Sequence, residues 1–356
     1  MDQFYDKVQA GQAVENWSNL RINAQDGVEM ASTFLNVGFI ASSLYDAQEN
    51  QDNHWSQSIS ITFCGSPKQF RVTRVVGDKT NVQEVVLAFQ GVLVNKMLPP
   101  IERKELLRQK AVGYLKQQVT ITGFGSHCFH TACDTFNALQ ALFSREVREH
   151  SLEQNSIQQE YMGYDAMSFE NRYVTPRVTA PDEPPIPFSP LVDPIGNLAR
   201  AAGTSYFHAA DNEVGYYKRE LHEDKKPHFK ELNPISFRVG DIVEVQASFV
   251  MIPHNVASKK MYKILSIMRA LTLLETRYTT DAESRRQGSA IIKDPTNPDF
   301  LLKRKVGYHV ESTTDTQAET DLRRKVQKMT LGTSSSAESD FTRQNEEEND
   351  PHGQDK

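Results

Sequence analysis

Cysteine is scarce: Cys64, Cys128 and Cys133 are the only three in 356 residues. They are too few, and odd in number, for a disulfide framework, which points to a reducing compartment. Long apolar runs are missing as well. The longest, 85–94, is interrupted by Gln90 and Gly91 and falls short of the roughly 18 residues a spanning helix needs. The opening Met1-Asp-Gln-Phe-Tyr-Asp-Lys7 has no apolar stretch of an export signal. The expectation is an intracellular protein, cytoplasmic or nuclear, without a membrane role, in which the sequon Asn16-Trp-Ser18 is not glycosylated. A nucleotide loop, an ordered catalytic triad and a complete metal motif are also absent, so no cofactor is expected.

A strong excess of one charge is lacking from most of the chain. Net charge is −6, but residues 311–356 hold 6 Lys+Arg against 11 Asp+Glu, leaving 34 against 35 in residues 1–310. A global basic footprint for duplex DNA is therefore excluded, and only a local patch could bind phosphate. Apolar residues make up 38 % of the chain, below the usual ~45–50 %, which fits a globular body with some unstructured length.

What is present is organisation. Seven of the 16 prolines fall between Pro176 and Pro194, which favours an extended segment and blocks helix or central strand. Its overlapping PxxP spacings could be read by an SH3 or WW domain; a semi-rigid linker is the plainer reading. The expected division is a mixed α+β domain over 1–175, a Pro-rich linker over 176–194, a β-rich domain over 195–310, and a short helix with a disordered acidic tail over 311–356.

Within the first unit, Ile59, Ile61 and Phe63 alternate before the Gly65-Ser-Pro67 turn, and Phe70 to Val76 restarts the period of two, predicting a hairpin. Val28–Tyr45 and Val82–Val94 read as strands, and Ile101–Leu115 as a helix. Phe129, Cys133, Phe136, Leu139 and Phe143 form the apolar stripe of a second helix over 126–149. In the second unit, Phe237–Met251 is the strongest strand. Val243, Val245, Ala247, Phe249 and Met251 share a face after a turn or bulge at Gly240-Asp241, and 261–274 is its expected partner. The fold class is α+β, with a small-barrel-like C-terminal unit.

The string Phe237-x-Val-Gly-Asp-Ile-Val-Glu-Val-Gln-x-Ser-Phe249, the second strand ending Leu271-Thr-Leu-Leu274 and the upstream Asn212-Glu-Val-Gly-Tyr-Tyr217 resemble an expanded group of uncharacterised proteins of mushroom-forming fungi. The resemblance covers about 205–280 and implies no activity. The Val-Gly-Asp strand is also similar to the opening of OB-type and other small β-barrels, which often bind nucleic acid.

Two sets of residues carry candidate chemistry. Lys259, Lys260 and Lys263 with Tyr262, together with Lys303, Arg304 and Lys305, interleave cations and rings as a single-strand channel requires. Solvated loop charge is the plainer alternative. The expectation is a non-enzymatic binding module whose partner is a protein or single-stranded nucleic acid.

The competing class is a cysteine- or metal-dependent enzyme centred on 123–134. Cys128 in the first turn of a helix, with His127 as base, is its nucleophile. His127, His130 and Asp134, separated by steps of three and four residues, are one metal-ligand set, with no fourth ligand in the sequence. Cys128, His130 and Cys133 with Cys64 are the other set, for zinc, against which five residues of helix place Cys128 and Cys133 about 140° apart.

Overall fold

The computed structural model describes residues 1–22, 29–34, 59–65, 67–75, 81–101, 112–149, 151–153, 157–221, 227–256 and 259–291. In chain order the elements are α1 (Lys7–Ile22), β1 (Glu29–Met30), α2 (Ala31–Phe34), β2 (Ile59–Gly65), β3 (Lys68–Val75), β4 (Val82–Glu84), β5 (Leu87–Met97), β6 (Lys116–Thr122) and α3 (His127–Arg145). There follow β7 (Gln158–Tyr161), β8 (Tyr164–Arg172), β9 (Thr175–Pro176), α4 (Asn197–Ala202), β10 (Tyr206–Phe207), β11 (Gly215–Leu221), β12 (Pro227–Glu231), β13 (Ile242–Val256), β14 (Lys259–Glu275) and α5 (Arg277–Ile291).

Five strands close a barrel. β5 pairs β6, β6 pairs β8, β8 meets β14, β14 pairs β13, and β13 returns to β5. All contacts are antiparallel except β8–β14, where Ile267 stands opposite Glu170 in parallel. The chain is α+β and β-rich, as its patterning predicts.

The expected boundary at 176–194 does not divide this fold. Three staves of the barrel precede that stretch and two follow it, and residues 1–295 form one compact unit. Proline density reports local backbone conformation, and it is blind to the pairing partners of the strands on either side. The expected helix at 101–115 lies largely outside the described residues, as do most of 28–45 and all of 311–356.

The barrel is filled by the alternation seen in the sequence. Val243, Val245, Ala247, Phe249 and Met251 of β13 are all buried. Phe249 meets Phe89 of β5 at 5.9 Å between ring centroids and Phe136 of α3 at 5.3 Å, so the helix seals the same core the strands enclose. α3 starts where Ser126 caps it, accepting the Phe129 N–H at 3.3 Å. Gly240 has φ +103°, a conformation suited to glycine, and the strand begins two residues later.

A second cluster lies outside the barrel wall, where Ala10, Ala13 and Val14 of α1 and Tyr278 and Ala282 of α5 pack with Val92, Val94 and Ile242. α1 approaches so closely that a methyl group at Gly11 would sit 2.6 Å from the Phe124 carbonyl oxygen.

Beneath α1, Glu244 of β13 accepts two hydrogen bonds from Arg21, at 2.9 and 3.1 Å, and one from Gln90 at 2.7 Å. Both charges are almost fully buried, so each requires the other.

β13 and β14 are too long for the barrel. The first half of β13 pairs β5 through Ala247, and then Val250 and Met251 pair Arg71 and Phe70 of β3. The distal half of the hairpin thereby becomes the spine of a second small sheet, β14–β13–β3–β2. Two arginines and two acids pin it in place. Arg71 bonds Glu84 at 2.6 Å and also Asp211, and Arg269 bonds Glu84 at 2.9 Å and Asp211 at 2.8 Å.

Candidate functional site

The second sheet contains no acidic residue in 59–65, 67–75, 248–256 or 259–274, whereas it carries Lys68, Arg71, Arg74, Lys259, Lys260, Lys263 and Arg269. The three arginines are bound to Glu84, Asp211 and Glu29. The four lysines, all toward the distal end, have no ion pair among the described residues.

One face of this end is aromatic. Phe63 and Phe70 are direct cross-strand partners, their rings 5.1 Å apart. The Phe70 ring reaches over β13 to meet Tyr262 of β14 edge-on at 6.1 Å. Lys260, two residues before Tyr262 and hence on the same face, holds its ammonium 5.4 Å from the Tyr262 ring centre. Phe63 is 56 % exposed, which is unusual for a phenylalanine on a paired strand. Lys68 precedes Phe70 by two and shares the face.

Strand alternation separates the lysines that the sequence groups together. The pairing runs without a shift from Val256↔Lys259 to Ile252↔Lys263, so Lys259 and Lys263 project from the side opposite Lys260 and Tyr262. Lys303, Arg304 and Lys305 lie outside the described residues. Phe63, Phe70 and Lys68 are the members that sequence reasoning missed. Their signal was available: in a hairpin centred near residue 66 or 67, positions 63 and 70 face each other.

The cluster at 123–134 is arranged differently from either enzymatic expectation. Cys128 is buried in the first turn of α3, but its Sγ lies 3.1 Å from Glu15 Oε1 of α1, and its backbone N–H donates to Glu15 Oε2 at 2.9 Å. Burial first, and then this carboxylate, push the thiol up to about 12. A helix N-terminus would normally favour thiolate; here its positive end is already taken by Glu15, and Cys128 stays protonated. Burial likewise pushes the Cys133 thiol up to about 12.

His127 makes no pair with Cys128, and His130 turns to Asp165, with Nδ1 and Oδ2 2.9 Å apart, while Asp134 stands 3.9 Å from Nε2. The hydrogen bond with Asp165 and the charge of Asp134 hold the His130 imidazole above its ordinary pKa. Among the described residues no three His, Cys, Asp or Glu side chains are placed to hold a metal ion. In Gly123-Phe-Gly125 a methyl group at Gly123 would collide with Phe129 at 2.3 Å, and Gly125 takes φ +88°, a conformation suited to glycine.

No family model and no curated protein matches the chain. Among solved structures, it is similar to gp2.5, a single-stranded DNA binding protein encoded by bacteriophage T7. The TM-score is 0.30 and the identity 9 %, over 53 % of this chain and 91 % of that one. Among the described residues no helix is long and apolar enough to cross a membrane.

Proposed function

We propose that this is a binding protein for single-stranded nucleic acid, laid across the distal face of the β2–β3 and β13–β14 hairpins. The observation that carries the reading is the ring row Phe63–Phe70–Tyr262 with Lys260 on its last member and Lys68 beside its second. Successive bases stack on such rings irrespective of sequence, and lysines along the row neutralise the phosphates between them. The barrel that presents the row has strands three and five side by side and parallel, the strand order of an OB-type barrel. Its long fourth-to-fifth strand hairpin supplies the binding arm.

The test is a salt titration of the full chain with a labelled single-stranded oligonucleotide, against duplex and a charge-matched polyanion. Single strand should be preferred over both. Lys68 and Lys260 on the row's face give a log K against log salt slope of about −1.4, at roughly 0.7 per phosphate, and a contribution from the lysines on the other side would carry it toward about −3. Binding no tighter than to the polyanion would retire the reading.

A further inference from the structure

The stretch read as a linker lines an open cavity of about 450 Å³, bordered by Pro185–Phe188 and by the small residues Gly196, Ala199 and Gly203. Its floor is His208, more than nine-tenths buried and stacked on Phe188 with ring centroids 4.1 Å apart and planes 21° from parallel. The Nδ1 of His208 lies 2.7 Å from the Tyr173 carbonyl oxygen. A carbonyl only accepts, so Nδ1 carries the proton and Nε2 is a bare acceptor. Burial lowers the pKa of this imidazole, keeping it neutral at physiological pH. No described residue hydrogen-bonds Nε2, and the ring lines the cavity.

Nε2 keeps solvent access through the cavity, so a ligand N–H entering there exchanges for water on this acceptor. The same cavity holds a cation. Arg177 lies with its guanidinium 4.0 Å from the Phe207 ring centre, and it spends one N–H on the Glu183 carbonyl at a long 3.4 Å. Asp193 also lines the space, with Oδ2 held by the Ala199 N–H at 3.0 Å.

We propose that this cavity is a mononucleotide site. The flat base lies along Pro185–Phe188 and the small residues Gly196, Ala199 and Gly203 and gives an N–H to His208 Nε2, while the phosphate meets Arg177. Three chemical demands converge on this class: a planar body for the proline and aromatic faces, an edge donor for the neutral imidazole, and an anion for the guanidinium. The site shares no residue with the ring row, so it stands or falls independently of nucleic-acid binding there.

The test is calorimetry of the full chain with each of the four ribonucleoside 5′-monophosphates, with adenosine and inorganic phosphate as single-feature controls. His208 ring nitrogens are followed in parallel by ¹⁵N-resolved NMR. At least one monophosphate should bind saturably and move the His208 Nε2 resonance, more tightly than either control. Ala199→Trp fills the cavity from an exposed helix position and should abolish binding while leaving the circular dichroism spectrum unchanged. Arg177→Gln should weaken the monophosphate about tenfold, the worth of one charge-assisted hydrogen bond, and leave adenosine unaffected. Absence of saturable binding by all four, a Nε2 resonance that does not move, or binding that survives Ala199→Trp would each overturn the assignment.

Discussion

Glu15 of α1 and Cys128 of α3 are joined twice, by the backbone N–H at 2.9 Å and by the thiol at 3.1 Å, so a carboxylate from one helix occupies the positive end of another. Burial alone would raise the Glu15 pKa. The hydrogen bonds from Ser126 Oγ and from Cys128 outweigh this and hold it below the ordinary 4.5. A carboxylate depressed in the folded state contributes stability that is complete above its unfolded pKa and is lost as pH falls through the folded one. Glu15→Gln should cost about 1 kcal/mol at pH 7. Thermal melts should show that difference shrinking as pH falls below the ordinary 4.5 and vanishing only once the pH is below the depressed pKa of the folded state.

The same pair sets thiol reactivity. With Cys128 and Cys133 buried and pushed up to about 12, neither should react with a disulfide reagent in the native protein at pH 7.5. Cys64, half-buried on β2, should react first. A time course of labelling, read by mass spectrometry before and after denaturation, checks the order. Rapid native labelling of Cys128 would reopen the nucleophile reading.

Arg21 and Glu244 should behave as an obligate pair. Removing one charge, as in Arg21→Met, leaves the other buried alone and should cost about 3–5 kcal/mol; the double substitution Arg21→Met with Glu244→Leu should recover most of it. Urea midpoints of the two single variants and the double variant give the coupling directly.

The four-charge network at Arg71, Glu84, Asp211 and Arg269 fixes the second sheet to the barrel. Asp211 is held below its ordinary pKa by the two arginines, which overcome its burial. Asp211→Asn should cost about 2–3 kcal/mol. It should also loosen β2–β3, seen as faster amide exchange at Phe70 and Val72 with little change inside the barrel.

Binding should be sensitive to the face of the hairpin. Phe63→Ala removes an exposed ring and should weaken single-strand binding by about 1–3 kcal/mol with little effect on stability. Lys260→Ala should lower both affinity and salt slope, whereas Lys259→Ala, on the opposite side, should change them less. Equal losses at 259 and 260 would argue for diffuse charge attraction in place of a stacked row.

The sequence announced some elements and hid others for physical reasons. α3 was legible because its stripe is made of phenylalanine and leucine and its cap is a serine. β13 was legible because every second residue from Val243 to Met251 is apolar. α1 was invisible because the face it buries is Ala10, Ala13, Val14, Ser18 and Arg21, small or polar side chains that pack closely and that carry little hydropathic signal. The lysines of 259–263 were legible as a charge cluster, but their sorting onto two faces follows only once the strand is known to continue through them. The cavity at His208 was hidden by the prolines that build it, which read as a spacer.

The barrel is completed by staves from either side of the proline-rich excursion, and that governs its assembly. A growing chain has only β5, β6 and β8 in hand when residue 175 is made. The outer edge of β5, and that of β8 beyond its pairing with β7, stay open until β13 and β14 follow from residue 242 onward. During synthesis the molecule is an open ribbon with an exposed apolar lining, which is the state in which a chaperone or a wrong partner would find it. By the same logic, a cut within 176–194 of the finished protein severs the backbone but not the cylinder, and the two pieces should remain together until they are unfolded.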